Sequence, residues 1–413
     1  MKFIADEKIL FESPAPENVF CYSPGICNGF DNRLLVCFDL GGAGVASLGG
    51  ALSRAGDWGL GNQLRVMYSD DDGKTWTQSA TTLPMYHSVM FKSGNALYII
   101  GVDDRLLISR SDDNGCTWSD ISVLDEKYRW AHMGNRVDIY ENTLTCVAEC
   151  VPPAKDWSLS APVMMRAKAD SDLTKLENWK FSEPFILQPH IYDAPALGVP
   201  CYPLGELDPG KPDPRINNGE GAIESNVWRV YDPTHRWYDP RMKNVVITMR
   251  ANVCLTNLAV VIMGVEKDDG TLEIQNITTP AGTKQFYIPF PGGQIRFDMV
   301  YDKKTQMYFM VSCQSTDSMT KIECLPPDRF NLPFSERRRL QLHFSKNGVD
   351  WCFAGMVSIG PGTEKASRQY AVLEIHKDDI FIFSRSGDER AVDPHNGNLL
   401  TLHKVENFRN LIY

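Results

Sequence analysis

The chain has 413 residues, of which 43% are hydrophobic and 10% aromatic, so it can fill a large core and is not a disordered chain. Acidic residues outnumber basic ones by 52 to 42, and the resulting net charge of −10 disfavours nucleic acid and anionic membranes as partners. The length allows several domains or one large repetitive fold.

The amino terminus lacks the apolar stretch of a secretory signal, and nowhere do 18 apolar residues follow one another. The 11 cysteines include no Cys-x-x-Cys pair, and several lie in apolar runs where a free thiol packs as a small hydrophobic group. We therefore expect a cytoplasmic protein without a membrane partner. Removal of a signal peptide from a longer precursor would instead place it outside the cell or in the periplasm.

Short runs of strand length follow one another along the chain, with almost no helical periodicity. Examples are residues 33–38, 64–68, 96–102 and 106–109. Six segments have the pattern expected for the first strand of a repeated structural unit, here called a sector. They begin near Ser23, His87, His132, Glu224, Gln294 and Gln369.

This layout predicts an all-β fold, a single six-bladed β-propeller domain over residues 1–413, with seven blades as the alternative count. Four-stranded blades around an axis leave only short, protected strand edges. The last blade ends near 398–405, so we expect the strand near 8–12 to complete it and close the ring. The proline-rich residues 183–222 are predicted to be a long insertion loop over one face.

A short motif is repeated between the predicted strands. Residues 69–76 (SDDDGKTW) recur 42 residues later as 111–118 (SDDNGCTW), and a shorter copy spans 345–351. An Asp that binds backbone N–H groups, a Gly with positive φ and a packing Trp are typical of a hairpin tip. The motif therefore has a structural role and no catalytic one.

These repeats and the six-sector layout resemble the sialidase superfamily, whose members carry such Asp-box repeats on six-bladed propellers. The resemblance spans nearly the whole chain. It implies an exo-acting glycoside hydrolase that removes a terminal sugar from a glycan. The boxes themselves indicate the fold and not the activity, because in the superfamily they lie away from the active face.

Two further stretches resemble catalytic segments of that superfamily. Glu224 opens one strand and Arg250 ends the next, while Tyr370 lies in a segment similar to the one that carries a tyrosine nucleophile in the last blade. The resemblance implies that Tyr370 attacks the sugar, Glu224 takes its proton and Arg250 anchors the substrate. A tyrosine hydroxyl with a pKa near ~10 needs such a carboxylate before it can act as a nucleophile at neutral pH.

The resemblance also implies the remaining catalytic positions, through the spacing that the superfamily keeps between these residues and the boxes. Asp57 lies twelve residues before the first box and corresponds to the acid/base carboxylate, which protonates the leaving oxygen and later activates water. Arg337 lies eight residues before the third box and corresponds to another anchoring arginine, with Arg338 and Arg339 as alternatives. Structural alternatives remain open: Tyr370 packed between blades, Asp57 in a turn and Arg337 in a solvated charge cluster.

One segment departs from the superfamily. Residues 21–25 (CYSPG) contain no arginine, whereas sialidases usually have one just ahead of the first-blade proline. Three arginines normally clamp the carboxylate of sialic acid, and such bidentate contacts are strong and geometry-specific. We therefore expect another acidic or deoxy sugar.

Two alternatives come from other residues. His87 and His132 open successive sectors and, with Arg129 or Arg250 neutralising a uronate, would suit a polysaccharide lyase. A non-catalytic carbohydrate-binding propeller would instead line its cleft with aromatics such as Trp58, Trp130, Trp228 and Trp237. No metal-ligand spacing is present, so we predict neither a metal nor a cofactor, and a glycan or oligosaccharide as the partner.

Overall fold

A computed structural model describes residues 2–56, 61–151, 159–187, 189–190, 221–252, 257–316, 324 and 336–413. The predicted all-β class is confirmed, because the described residues form antiparallel sheets joined by turns. Three short 3-10 helices span Val45–Leu48, Leu176–Asn178 and Phe408–Leu411. None of the helices in these ranges is long and apolar enough to cross a membrane.

The strands are numbered in chain order. The first fourteen are β1 (Asp6–Glu12), β2 (Phe20–Cys21), β3 (Gly25–Asn28), β4 (Leu34–Gly41), β5 (Gln63–Ser69), β6 (Thr77–Gln78), β7 (Tyr86–Ser93), β8 (Ala96–Val102), β9 (Asp104–Ser111), β10 (Ser122–Met133), β11 (Asp138–Tyr140), β12 (Thr143–Val151), β13 (Ala161–Lys168) and β14 (Trp179–Phe181). The others are β15 (Gly221–Trp228), β16 (Val245–Asn252), β17 (Leu258–Glu266), β18 (Leu272–Thr278), β19 (Lys284–Gln285), β20 (Tyr287–Pro289), β21 (Asp298–Asp302), β22 (Met307–Cys313), β23 (Arg339–Ser345), β24 (Cys352–Ile359), β25 (Ser367–His376), β26 (Asp379–Gly387) and β27 (Leu399–Val405).

Most strands pair with their neighbours in the sequence. β2 to β6 form one sheet, β7 to β14 a second, β15 to β20 a third and β21 to β24 a fourth. The eight-stranded sheet is continuous because β10 pairs with β9 through its first part and with β12 through its last part. In the remaining sheet β1 pairs with β27, so residues from the two ends of the chain share one sheet with β25 and β26.

The first strands of the sectors contact one another in a closed circuit. β3 contacts β7 and β25, β10 contacts β7 and β15, and β21 contacts β15 and β25. Such a circuit is what a propeller requires, while the number of blades remains a prediction. The segment near Gln294 was expected to open a strand, but β21 begins later, at Asp298. Most of the predicted insertion 183–222 lies outside the described residues.

The two complete copies of the repeated motif make the same hydrogen bonds. The Asp71 carboxylate accepts from the backbone N–H and the hydroxyl of Thr75, at 2.8 and 2.6 Å. Asp113 accepts the corresponding bonds from Thr117 at 2.9 and 2.5 Å. Each carboxylate thus closes a turn at the sheet surface.

The shorter third copy allows a test of the turn geometry. Gly348 has a φ of 72°, and a Cβ atom at this position would lie 2.5 Å from the Trp228 ring. We expect Gly348→Ala to lower the free energy of unfolding by about 2–4 kcal/mol, through backbone strain and overpacking. The control is Gly282→Ala, where φ is 78° but no atom lies within 4 Å. Equal losses in denaturant unfolding would refute the predicted clash.

The closing strand β1 is tied to β25 by an ion pair between the partly exposed Glu7 and the buried Arg368. The Glu7 carboxylate accepts hydrogen bonds from Arg368 Nη2 at 2.5 Å and from Ser358 Oγ at 2.5 Å. Burial disfavours the charged carboxylate, but the bonds from Arg368 and Ser358 outweigh it and lower the pKa of Glu7 from 4.5 to about 2.

We expect Glu7→Gln to lower the free energy of unfolding at pH 7 by about 2 kcal/mol, because charge-assisted hydrogen bonds are lost. Since the folded pKa is lowered, the stabilisation is full above pH 4.5 and disappears as the pH falls towards 2, where variant and wild type converge. Glu12→Gln is the control on the same strand, because Glu12 forms an exposed pair with Arg390. A pH-independent difference in urea unfolding would contradict the assignment.

Candidate active site

Three first strands carry a bulge at which a non-glycine residue adopts the left-handed conformation. His87 on β7, Glu224 on β15 and Tyr370 on β25 have φ values of 48°, 60° and 51°. In each strand the pairing register shifts at that residue. Such conformations cost about 1–3 kcal/mol each and persist where the surroundings hold them, and a bulge re-aims its side chain.

Tyr370 and Glu224 meet at one guanidinium. Arg250 Nη1 donates to the Tyr370 hydroxyl at 2.6 Å and to Glu224 Oε2 at 3.2 Å. Burial disfavours ionisation of Glu224, but Arg250, His132, Arg296 and a hydrogen bond from Tyr370 lower its pKa to about 2. Burial raises the pKa of Tyr370, so its phenol is protonated at neutral pH. A neutral phenol thus lies beside an ionised carboxylate.

Four buried guanidinium groups surround the Tyr370 ring. The distances from their Cζ atoms to the ring centroid are 5.0 Å for Arg385, 5.2 Å for Arg337, 5.8 Å for Arg250 and 5.9 Å for Arg296. Among the described residues, only Arg250 forms an ion pair, with Glu224. Burial lowers the pKa of Arg337 to about 10, and repulsion from Arg250 and Arg385 adds to this effect. The cluster is therefore strongly electropositive.

Two of these arginines contact the segment that lacks an arginine in the sequence. The Arg385 guanidinium lies 4.3 Å from the Tyr22 ring centroid, and Arg296 Nη2 donates to the Pro24 carbonyl at 3.2 Å. The buried Nε atoms of Arg296 and Arg385 have no hydrogen-bond acceptor in the described part of the chain. Buried donors of this kind favour an anionic ligand.

The sequence analysis missed Arg296 and Arg385, although a signal existed for Arg385. Arg250 pairs with the residue before the Glu224 bulge, and Arg385 pairs with the residue before the Tyr370 bulge. The two arginines occupy equivalent positions in their sheets. Arg296 lies within the segment predicted to open a sector, but the sequence does not indicate the direction in which its side chain points.

A second group lies beside Glu224. The rings of His87 and His132 are 4.6 Å apart, and His132 Nδ1 is 3.5 Å from Glu149 Oε2. Glu149 is fully buried on β12, and this burial raises its pKa to about 7. The structure thus brings together the two predicted histidines and adds a carboxylate that the sequence analysis did not select.

Several predicted residues lie elsewhere. Arg129 forms an ion pair with Asp104 at 3.2 Å, and among the described contacts it has none with Tyr370 or Glu224. The binding-module interpretation placed Trp130 and Trp228 in the cleft, but both are buried in hydrophobic clusters. They cannot stack on a glycan, because the core covers them.

The contacts of the three consecutive arginines show which of them faces the site, and two other predicted residues lie outside the described residues. Arg337 is the member of its triplet that faces Tyr370, whereas Arg338 donates to the Gly360 carbonyl and Arg339 to the Thr316 hydroxyl. Asp57 and Trp58 lie outside the described residues.

Comparisons with known proteins identify the fold. No family model matches the chain, and no curated protein matches its sequence. Among solved structures, a sialidase from Trypanosoma rangeli aligns with a TM-score of 0.56 and 12% identity, over 100% of this chain and 61% of that one. An α-L-arabinofuranosidase from Fusarium graminearum aligns with a TM-score of 0.51 and 12% identity, over 97% of each chain.

A third neighbour is a protein of unknown function from Dyadobacter fermentans, with a TM-score of 0.54 and 11% identity, over 97% of this chain and 99% of that one. The chain spans about three fifths of the length of the trypanosomal sialidase. At these identities the likeness shows a common propeller architecture.

The arginine cluster predicts binding of a carboxylate. We expect acetate, titrated against chloride at constant ionic strength, to raise the thermal unfolding temperature. At ten times its dissociation constant, acetate would stabilise the fold by about 1.4 kcal/mol. Arg337→Met should lose this response because one of the facing guanidinium groups is removed. Arg338→Met, the neighbouring variant, should keep it. Equal responses of the two variants would contradict the assignment.

Proposed function

We propose that the protein is an exo-acting glycoside hydrolase that removes a terminal acidic sugar, using Tyr370 as nucleophile and Glu224 as its proton acceptor. The observation that carries this proposal is the protonated Tyr370 hydroxyl bonded to Arg250 beside the ionised Glu224, within a cluster of buried guanidinium groups. Two structural neighbours, a sialidase and an arabinofuranosidase, support glycosidase chemistry on this fold.

In the first step, the sugar carboxylate binds between the guanidinium groups of Arg337, Arg385 and Arg296. The Tyr370 oxygen attacks the anomeric carbon, and its proton passes to Glu224 as the glycosidic C–O bond breaks. A second carboxylic acid protonates the leaving oxygen, and Asp57 is proposed for this role. The product of this step is a glycosyl-tyrosine intermediate.

In the second step, the ionised acid/base residue takes a proton from water, and the water oxygen attacks the same carbon. The bond from carbon to the Tyr370 oxygen breaks, and Glu224 returns the proton to the phenolate. Two inversions give net retention at the anomeric carbon. Arg250 stabilises the phenolate as it forms in each direction, because its Nη1 already contacts that oxygen.

The charge of an acidic substrate also changes the basicity of Glu224 in this proposal. Although burial disfavours its charge, Glu224 has a pKa near 2, chiefly because of Arg250, and this makes the carboxylate a weak proton acceptor. A sugar carboxylate close to Arg250 and Arg337 would offset their positive charge and raise the basicity of Glu224. Binding of an acidic sugar and activation of Tyr370 are therefore coupled in this proposal.

A second candidate function is supported by the contact between His87 and His132 beside Glu224. A neutral imidazole there could remove the proton α to a uronate carboxylate, with an arginine neutralising the acid. The C–O bond at the β position would then break, and the proton held by the imidazole would pass to the leaving oxygen. The products are an unsaturated uronate and a new hydroxyl end, without consumption of water. This is the reaction of a polysaccharide lyase.

Replacement of the nucleophile tests the hydrolase. We expect Tyr370→Phe to lower kcat by about a thousandfold or more with folding intact, because the attacking oxygen is removed. The control is Tyr308→Phe, since Tyr308 is a buried tyrosine that donates to the Arg229 carbonyl away from the site. Substrates are sialosides and rhamnose- or uronate-terminated oligosaccharides, with released sugar and ultraviolet absorbance measured together.

The products separate the alternatives. Saturated sugar that is released by the wild type and lost in Tyr370→Phe supports hydrolysis. Unsaturated product that persists in Tyr370→Phe and is lost in His87→Ala or His132→Ala would replace the hydrolase by the lyase. If no glycan yields either product, the result favours a non-catalytic carbohydrate-binding propeller over both enzymes.

A further inference from the structure

We infer that Glu149 is a positioning residue that fixes the Glu224 bulge from behind and couples it to His132. This inference rests on the proposed function, in which the Glu224 side chain takes the proton of the nucleophile. Glu149 belongs to β12, in the sheet before that of Glu224, and is completely buried.

The Glu149 carboxylate binds both backbone N–H groups of the bulge. Its Oε2 accepts from the Glu224 N–H at 2.9 Å, and its Oε1 accepts from the Ser225 N–H at 2.8 Å. Strand pairing between β15 and β16 shifts between Ile223 and Asn226, so these two residues lie outside the regular ladder. A buried backbone donor without an acceptor is costly, and a carboxylate is a strong acceptor for two of them.

The His87 bulge also has a carboxylate acceptor on a strand of the preceding sheet. The His87 N–H donates to Asp39 Oδ1 at 3.3 Å, so the bond at this bulge is longer. Only the Glu224 bulge, among those described, receives two short bonds from one carboxylate. The bulge whose backbone is held most strongly is therefore the one that carries Glu224, the proposed base.

The same carboxylate contacts a second functional group. Glu149 Oε2 is 3.5 Å from Nδ1 of His132, and the charge of His132 acts on Glu224. At this separation the contact is electrostatic, and it places the Glu149 carboxylate close to the imidazole without a hydrogen bond between the two groups. Replacement of the Glu149 carboxylate would therefore change both the backbone support of Glu224 and the surroundings of His132. The bond to residue 224 comes from its backbone N–H and leaves the Glu224 carboxylate to Arg250.

Glu149→Gln tests this role with almost no change in shape. A glutamine has one carbonyl oxygen, so it can accept from only one of the two N–H groups, and its own NH₂ faces the other. A displacement of about 1 Å at a reacting group can cost about a hundredfold in rate. We expect kcat on the substrate that the wild type cleaves to fall by about that factor, with KM within threefold.

Asp239→Asn is the matched control. The Asp239 carboxylate also binds backbone N–H groups, those of Arg241, Lys243 and Asn244, but in a turn away from the site. This variant should lose stability and keep kcat. Glu149→Asp, which is too short to hold both amides, serves as a second variant if Glu149→Gln does not fold.

Amide hydrogen exchange gives a readout that does not depend on activity. We expect the Glu224 and Ser225 amides to exchange slowly in the wild type and at least about tenfold faster in Glu149→Gln or Glu149→Asp, with no change in Asp239→Asn. Unchanged exchange at these amides, or an unchanged kcat, would overturn the inference. If the wild type cleaves no glycan, the proposed function fails, while faster exchange would still support Glu149 as the residue that fixes the bulge.

Discussion

The left-handed bulges on the first strands are the constraint on which the site depends. A regular strand alternates its side chains between two faces, so a residue can point along the strand edge into a shared site only where the ladder is interrupted. His87, Glu224 and Tyr370 each interrupt it in this way. At His87 and Glu224 a carboxylate from the preceding sheet accepts the backbone N–H of the bulge, so the two neighbouring sheets together hold the strained residue.

The second determinant is the balance of charge around Tyr370. Burying a charge without a partner is costly, yet three of the four facing arginines form no ion pair with any described residue. An anionic ligand would stabilise such an arrangement, and in the proposed mechanism it ties substrate charge to the basicity of Glu224. Because Arg385 stacks on Tyr22, the absence of an arginine in residues 21–25 does not leave that side of the cluster without a cation.

The framework that holds these groups is itself tied by ion pairs. Arg136 donates to Asp298 at 2.8 Å and to Glu374 at 3.0 Å, and so joins parts of the chain near β11, β21 and β25. Glu7 joins β1 to Arg368. Bidentate guanidinium contacts restrict rotation as well as distance, and sites held on restrained strands keep the atomic positions that proton transfer requires.

The sequence by itself determined the all-β class, the positions of most strands and the hairpin turns, because each follows from local periodicity or turn chemistry. The grouping of Tyr370 with Glu224 and Arg250 was implied only by the resemblance to the sialidase superfamily. Only the tertiary structure decided that Arg337, of the three consecutive arginines, faces the site and that Arg129 pairs with Asp104. It also placed Arg296, Arg385 and Glu149 in the site, which the sequence had not indicated. The reason is physical. A period of two residues assigns a side chain to one face of a strand, but only the interrupted ladder and the packing of distant sheets set the direction in which a buried charge points.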